Sequence, residues 1–128
     1  MKRFMIGLTI AAALAPNTRV DPVYAVRPLD GYVCMNLNLS EAQLLDFKGP
    51  RIPILVAPRP DAVVGTLAAA VVFAKAPPNV VDGYTEVLQL TGKPGWIETR
   101  MIVPYHSVSN PYAHCTPSLM SNGRIGIG

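Results

Sequence analysis

The sequence predicts an all-β domain, and three observations carry that prediction. Thirteen Pro and ten Gly are spread along 128 residues, which divides the chain into many short elements joined by turns. Hydrophobic residues make up 50% of the chain and charged residues 15%, a balance that excludes a disordered polymer and suits one packed core rather than two. The stretch from Asp82 to Ile97 reads as strand, tight turn, strand. Within it Gly83-Tyr84 opens the first strand, and Thr91-Gly92-Lys93 forms the turn, where Gly92 supplies the positive φ of a short hairpin. Gly95-Trp96-Ile97 carries the second strand.

The N-terminal segment has a different character. Lys2-Arg3 is a positive start, and Phe4 to Ala15 is an apolar stretch too short to span a bilayer comfortably. A polar, turn-prone piece follows and ends in Val23-Tyr24-Ala25, which fits the small-residue rule for signal-peptide cleavage after Ala25. Ala13-Leu14-Ala15 offers a second site, but Pro16 directly after it blocks cleavage. The expectation is a signal peptide at 1–25 and no membrane span in the mature chain, since no second long apolar run exists. The formal charge of +3 owes much to this segment, which holds Lys2, Arg3, Arg19 and Asp21. Without them eight basic and seven acidic residues remain, and no Lys/Arg cluster, so nothing points to nucleic acid or an anionic membrane.

Export sets the reading of the cysteines. Cys34 and Cys115 are the only two, and in an oxidising compartment the economical reading is one disulfide closing a loop of about 80 residues. Two free thiols are one alternative. The other is Cys115 acting as a nucleophile or metal ligand beside His114. Metal sites want three or four ligands, and His106 is the one further histidine. Residues adjacent in sequence, such as His114 and Cys115, do not readily aim both side chains at one substrate atom.

Along the mature chain, Val26 to Gly31 reads as polar and turn-like, and Tyr32 to Leu37 as extended. Ser40 with Gln43 three residues on has the form of a capping box, and Leu39 and Leu44 stand where a hydrophobic staple requires them. Lys48, Gly49 and Pro50 end the helix, giving about two turns over Glu41 to Phe47. So short a helix is not stable alone, so Leu44, Leu45 and Phe47 are expected to pack on something. Arg51 to Pro58 is a short strand, in which Pro53 belongs at an edge or at the start. Arg59 to Ala62 is a turn. Val63 to Leu67 then leads into Ala68 to Ala74, a run that does not alternate, so a strand there has both faces covered, with the short helix as the natural cover. Lys75 to Val81 is a loop, Glu98 to Met101 a single 3₁₀-like turn, and Ile102 to Pro104 a last strand. From Tyr105 onward the chain is polar and irregular, and Ser121 to Gly128 has nothing to bury.

Four of these pieces, in order and spacing, resemble the bacterial SH3-like domain (SH3b). They are the first strand ending in Ala57-Pro58; Val63-Val64-Gly65-Thr66-Leu67; Gly83-Tyr84-Thr85-Glu86-Val87; and Thr91-Gly92-Lys93-Pro94-Gly95-Trp96-Ile97. The resemblance covers Ile52 to Pro104 and implies a small, strongly bent five-stranded barrel with no catalysis of its own. It also implies a binding or targeting role outside the cytoplasmic membrane. Two departures stand out: Ala57 replaces a usual Gly, and the second strand is Ala-rich throughout. The expected organisation is therefore a signal peptide at 1–25, an N-terminal extension with a short helix at 26–50, an SH3-like barrel at 51–104 and an irregular tail at 105–128.

Candidate ligand-binding residues are Tyr84, Trp96, Tyr105 and Tyr112. Trp96, after a hairpin Gly, is more often wall or core than a stacking platform. Tyr84 opens a strand beside the Pro77-Pro78 loop, where an SH3-like groove would lie. Tyr105 and Tyr112 flank Pro104 and Pro111 and either line a groove or pack under the tail. Glu86 and Glu98 make a nominal carboxylate pair, each expected opposite small polar or aliphatic residues and without the desolvation that acid–base work needs. His106 reads as a solvated loop histidine. No cofactor, metal or catalytic residue is expected, because bases and nucleophiles are scarce. The function that follows is an exported, periplasmic or secreted, non-catalytic binding module for an envelope protein or a peptidoglycan-type ligand. The alternative is a small structural subunit of an envelope assembly, with the barrel as scaffold for its flanks.

Overall fold

A computed structural model describes residues 21–49, 51–107, 110 and 112–128 of the chain. The apolar stretch from Phe4 to Ala15 lies outside the described residues. The expected cleavage point falls on the first residue of strand β1 (Ala25–Pro28).

The molecule is mainly β and its sheets are antiparallel. The larger sheet is built from β2 (Tyr32–Leu37), β3 (Pro53–Leu55), β4 (Val64–Leu67), β5 (Val71–Lys75), β6 (Val80–Val81), β7 (Tyr84–Leu88), β8 (Pro94–Glu98) and β9 (Ile102–Pro104). Its order is β4-β3-β8-β7-β5-β2-β9, with β6 added beside β7. The path runs from β4 to β9 and stays open. The smaller sheet joins β1 to β10 (Pro117–Met120) and β11 (Ile125–Ile127) in the order β1-β10-β11.

The hairpin β7–β8 is the centre of the larger sheet. It pairs Tyr84 with Glu98, Glu86 with Trp96 and Leu88 with Pro94. Gly92 takes φ 86° in its turn, where its N–H donates to the Gln89 carbonyl at 2.8 Å. Side chains alternate across the sheet, so the two faces of the hairpin bury different things. On one face Val87 and Ile97, both 0% exposed, pack with Leu37, Ile54, Val72, Ala74 and Met101 into the main core. Each buried Val, Leu, Ile or Met there stabilises the fold by about 1.5–3 kcal/mol. On the other face Leu88 joins Cys34 and Phe73, with Leu29, Tyr32, Tyr105, Cys115 and Ile125 packed around them.

That second cluster revises the reading of β5. The strand takes in only Val71–Lys75 rather than the whole Ala68–Ala74 run, with Ala69 and Ala70 exposed outside it; Val72, Phe73 and Ala74 are buried, so both faces are covered along that part. The cover on the outer face is the disulfide-tied tail and the smaller sheet rather than the helix. The helix α1 (Glu41–Leu45) carries the predicted capping box: Gln43 N–H donates to Ser40 Oγ at 3.1 Å and Ser40 N–H to Gln43 Oε1 at 2.8 Å. It is two residues shorter than expected, because Asp46 turns the chain, accepting from Lys48 N–H at its side chain and from Gly49 N–H at its carbonyl. None of its residues is buried, and Leu45 and Phe47 are 66% and 87% exposed, so the expected packing of this helix is not found.

The tail is also corrected. Residues 117–127, expected to be irregular, form the β10–β11 hairpin, and Arg27 and Pro28, within the stretch expected to be turn-like, pair with it. Ser118 is 2% exposed and Ile125 joins the second cluster, so this segment does bury residues. Sequence periodicity gave no sign of it because the strands are three and four residues long. The turn at Arg59–Ala62 and the strand at Ile102–Pro104 lie where the sequence placed them; the strand expected over Arg51–Pro58 is shorter, Pro53–Leu55, with Pro53 at its start, and the 3₁₀ turn is Thr99–Met101, because Glu98 ends β8. Val80-Val81, assigned to a loop, forms β6, joined to β7 by Asp82 at φ 50° and Gly83 at φ 82°. Asp-Gly with two positive φ values is the favoured two-residue hairpin turn, a signal local to the sequence.

Candidate functional site

Tyr84 stands at the junction of two clefts on the outer face of the β7–β8 hairpin. One, of about 320 Å³, lies between β3 and the loop that follows it and is walled by Pro53, Leu55, Ala62 and Val64. The other, of about 500 Å³, lies over the Asp82-Gly83 turn and the 3₁₀ turn and reaches Thr99 and Arg100. Pro60, Tyr84 and Glu98 line both clefts, so the two adjoin along these residues around Tyr84. The Tyr84 residue is only 7% exposed, which makes its ring a fixed part of the floor rather than a mobile arm.

The local sequence explains this position. Tyr84 is the first residue of β7 after the two-residue turn, and it sits directly opposite Glu98. Pro60 is brought over it by the β3–β4 connection, closed by hydrogen bonds from Val56 N–H to the Val63 carbonyl and from Ala62 N–H to the Arg59 carbonyl. At the rim Glu98 Oε1 accepts from Arg100 Nη2 at 2.9 Å, and Asp82 adds a second carboxylate. The groove therefore has an apolar floor of Tyr and Pro and a charged rim with one more acid than base.

The four aromatic candidates are not brought together. Trp96 is half-buried on β8 between Glu86 and Leu55, on the same sheet face as Tyr84 and one diagonal step away. It lies outside the groove lining. Tyr105 packs against the second cluster beside Cys115, and Tyr112 is 84% exposed. Pro60, which lines both clefts, carries no sequence signal of this role, because a Pro in a turn reads only as a turn former.

The two carboxylates have surroundings other than those expected. Glu86 lies opposite Trp96 and Glu98 opposite Tyr84, so aromatic rather than small residues face them. Glu86 is 9% exposed; it accepts from Asn79 Nδ2 at 2.8 Å and stands 3.9 Å from Lys75 Nζ. Its backbone N–H also donates to the Asn79 carbonyl at 2.9 Å. Those bonds fasten the Lys75–Val81 segment to β7 and occupy both carboxylate oxygens, a structural use of the charge. Cys34 and Cys115 are joined in a disulfide, with Cα atoms 6.2 Å apart, so Cys115 is not a free nucleophile or ligand. His106 is exposed; its carbonyl accepts from Asn36 Nδ2 at 3.0 Å. Among the described residues no cluster of three or more His, Cys, Asp or Glu has the arrangement of a metal site, and no helix is long and apolar enough to cross a membrane.

The chain matches no protein-family profile, no curated protein and no solved structure.

Proposed function

We propose that this protein is an exported, non-catalytic binding module of the bacterial cell envelope, built on an SH3-like barrel, that takes an extended peptide or peptidoglycan-type ligand in the groove around Tyr84. The observation that carries the reading is the shared lining of the two clefts by Pro60, Tyr84 and Glu98. Aromatic and proline walls suit an extended chain, whose low conformational freedom reduces the entropic cost of binding. Export is supported by the disulfide and by the leader-like sequence of residues 1–25. Cleavage after Ala25 leaves the pairing of Arg27 with Leu119 and of Pro28 with Ser118 in place, while Tyr24 loses its two hydrogen bonds to Ser121. Intact mass of the exported protein, with and without reductant, reads the cleavage site and the disulfide together.

The test of the groove is a pull-down with purified cell-wall sacculi and, separately, with envelope proteins. Wild type is expected to be retained by one of them. Pro60→Glu changes an exposed residue of the groove's apolar lining and is expected to reduce retention about tenfold or more, with an unchanged melting temperature. Empty pull-downs on both materials would remove this reading.

A second reading, a structural subunit whose flanks make the contacts, is favoured by the exposure of Phe47 and Tyr112, at 87% and 84%. Cross-linking from a probe at Tyr112 compared with one at Pro60 separates the two. Capture only from Tyr112 supports the subunit.

A further inference from the structure

We infer that the protein has a second binding site, distinct from the Tyr84 groove, at which an uncharged, apolar, extended peptide segment of a partner adds as a strand to the outer edge of β11. A cleft of about 420 Å³ runs between residues 69–73 on one side and 125–127 on the other, with Leu88 and Leu90 between them. No side chain lining it is charged or polar. Among the described residues no strand pairs with the outer edge of β11. The hydrogen bonds of the β10–β11 hairpin fix what that edge presents. Met120 N–H donates to the Arg124 carbonyl and Gly128 N–H to the Thr116 carbonyl, so residues 124, 126 and 128 face β10. Antiparallel alternation then turns the N–H and C=O groups of Ile125 and Ile127 outward, along the cleft. Across it, Leu37 N–H bonds the Ala70 carbonyl, which fixes the same alternation in β5 and turns the backbone of Val71 away from β2. Outward backbone donors and acceptors above an uncharged apolar floor call for an extended chain with an apolar side chain at every second residue. A second copy of this chain is a poorer occupant. An edge of three residues spans about 10 Å, and pairing two such edges buries far less than the roughly 800 Å² per partner of a stable dimer.

The test uses the full oxidised chain and an end-capped octapeptide of alternating Val and Thr with no charged residue. Titration is expected to slow amide exchange at Ile125 and Ile127. N-methylation of the peptide along one edge abolishes the effect, whereas methylation along the other edge leaves it. Ile127→Pro removes one outward N–H that β10 does not use, and lowers affinity about tenfold while the amide spectrum of β1 and β10 is kept. Leu90→Glu, at an exposed position, places a charge in the cleft and also weakens binding. Pro60→Glu leaves it unchanged, which keeps this site separate from the groove. Unchanged exchange at Ile125 and Ile127 with millimolar peptide overturns the inference. So does equal binding of both N-methylated peptides, or protection of those amides in a peptide-free dimer.

Discussion

Gly95 shows how much one residue position can carry. It lies in mid-strand, so its need for glycine is not a matter of backbone angle. A Cβ there would overlap the side chain of Ile54, which is 1% exposed, and would come within 3.2 Å of the Leu55 carbonyl and 2.9 Å of Gln89 Cγ. Gln89 itself is buried, and its Nε2 donates to the Pro94 carbonyl at 2.9 Å, so it has little room to yield. Gly95→Ala is therefore expected to destabilise the fold by about 1–3 kcal/mol, the cost of overpacking a filled core, read as a lowered urea midpoint at unchanged slope. Glu86 is the other residue with a role beyond its sequence context. The bond from Asn79 ties β6 to β7, and Asn79→Ala, which leaves one carboxylate oxygen without that donor, is expected to cost about 1–3 kcal/mol in the same measurement. Gly92 and Trp96 were legible from their neighbours along the chain. Gly95 was legible only as a motif letter, because what excludes a Cβ comes from β3.

At the scale of elements, α1 and β11 make opposite points. The helix was read from its capping residues and is present with those bonds, yet it buries none of its residues. Ser40→Ala is expected to fray it, weakening the helix locally by about 1 kcal/mol, seen as faster amide exchange at Leu44, whose N–H bonds the Ser40 carbonyl. The global melting temperature should hardly move, since no core contact depends on the helix; a drop of several degrees would show that α1 is packed in solution. Strand β11 has no cap and no periodic pattern, and its existence depends on β10 and on the apolar contacts of Ile125. Signals internal to a segment can be read from sequence. A three-residue strand has none, because its partner supplies the reason for its conformation. Asp82-Gly83 is the intermediate case, a local signal strong enough to read once Val80-Val81 is allowed to be a strand.

For the whole molecule, the disulfide is the tie between the two sheets' neighbourhoods. Cys34 sits in β2 and Cys115 two residues before β10, 81 positions apart, and both belong to the cluster that covers the outer face of β5. Replacing both by Ser is expected to lower stability by up to about 4.5 kcal/mol through loop closure, measured by denaturant unfolding with and without reductant. The loss should appear first as fast amide exchange in Ile125–Ile127, ahead of Val87 and Ile97, because the tail's contacts with Phe73 and Leu88 loosen before the main core opens. The all-β class, the β7–β8 hairpin, the capped helix and the two cysteines' availability to each other are written in local spacing or in composition. The remaining features come from long-range packing. It placed β2 between β5 and β9, left the large sheet open and folded the tail into strands over β5. It also set Pro60 over Tyr84 to make a groove from residues 24 positions apart. Those outcomes depend on which distant segments cover one another's apolar faces and backbone edges, and burial of that kind has no signature within any single stretch of the chain.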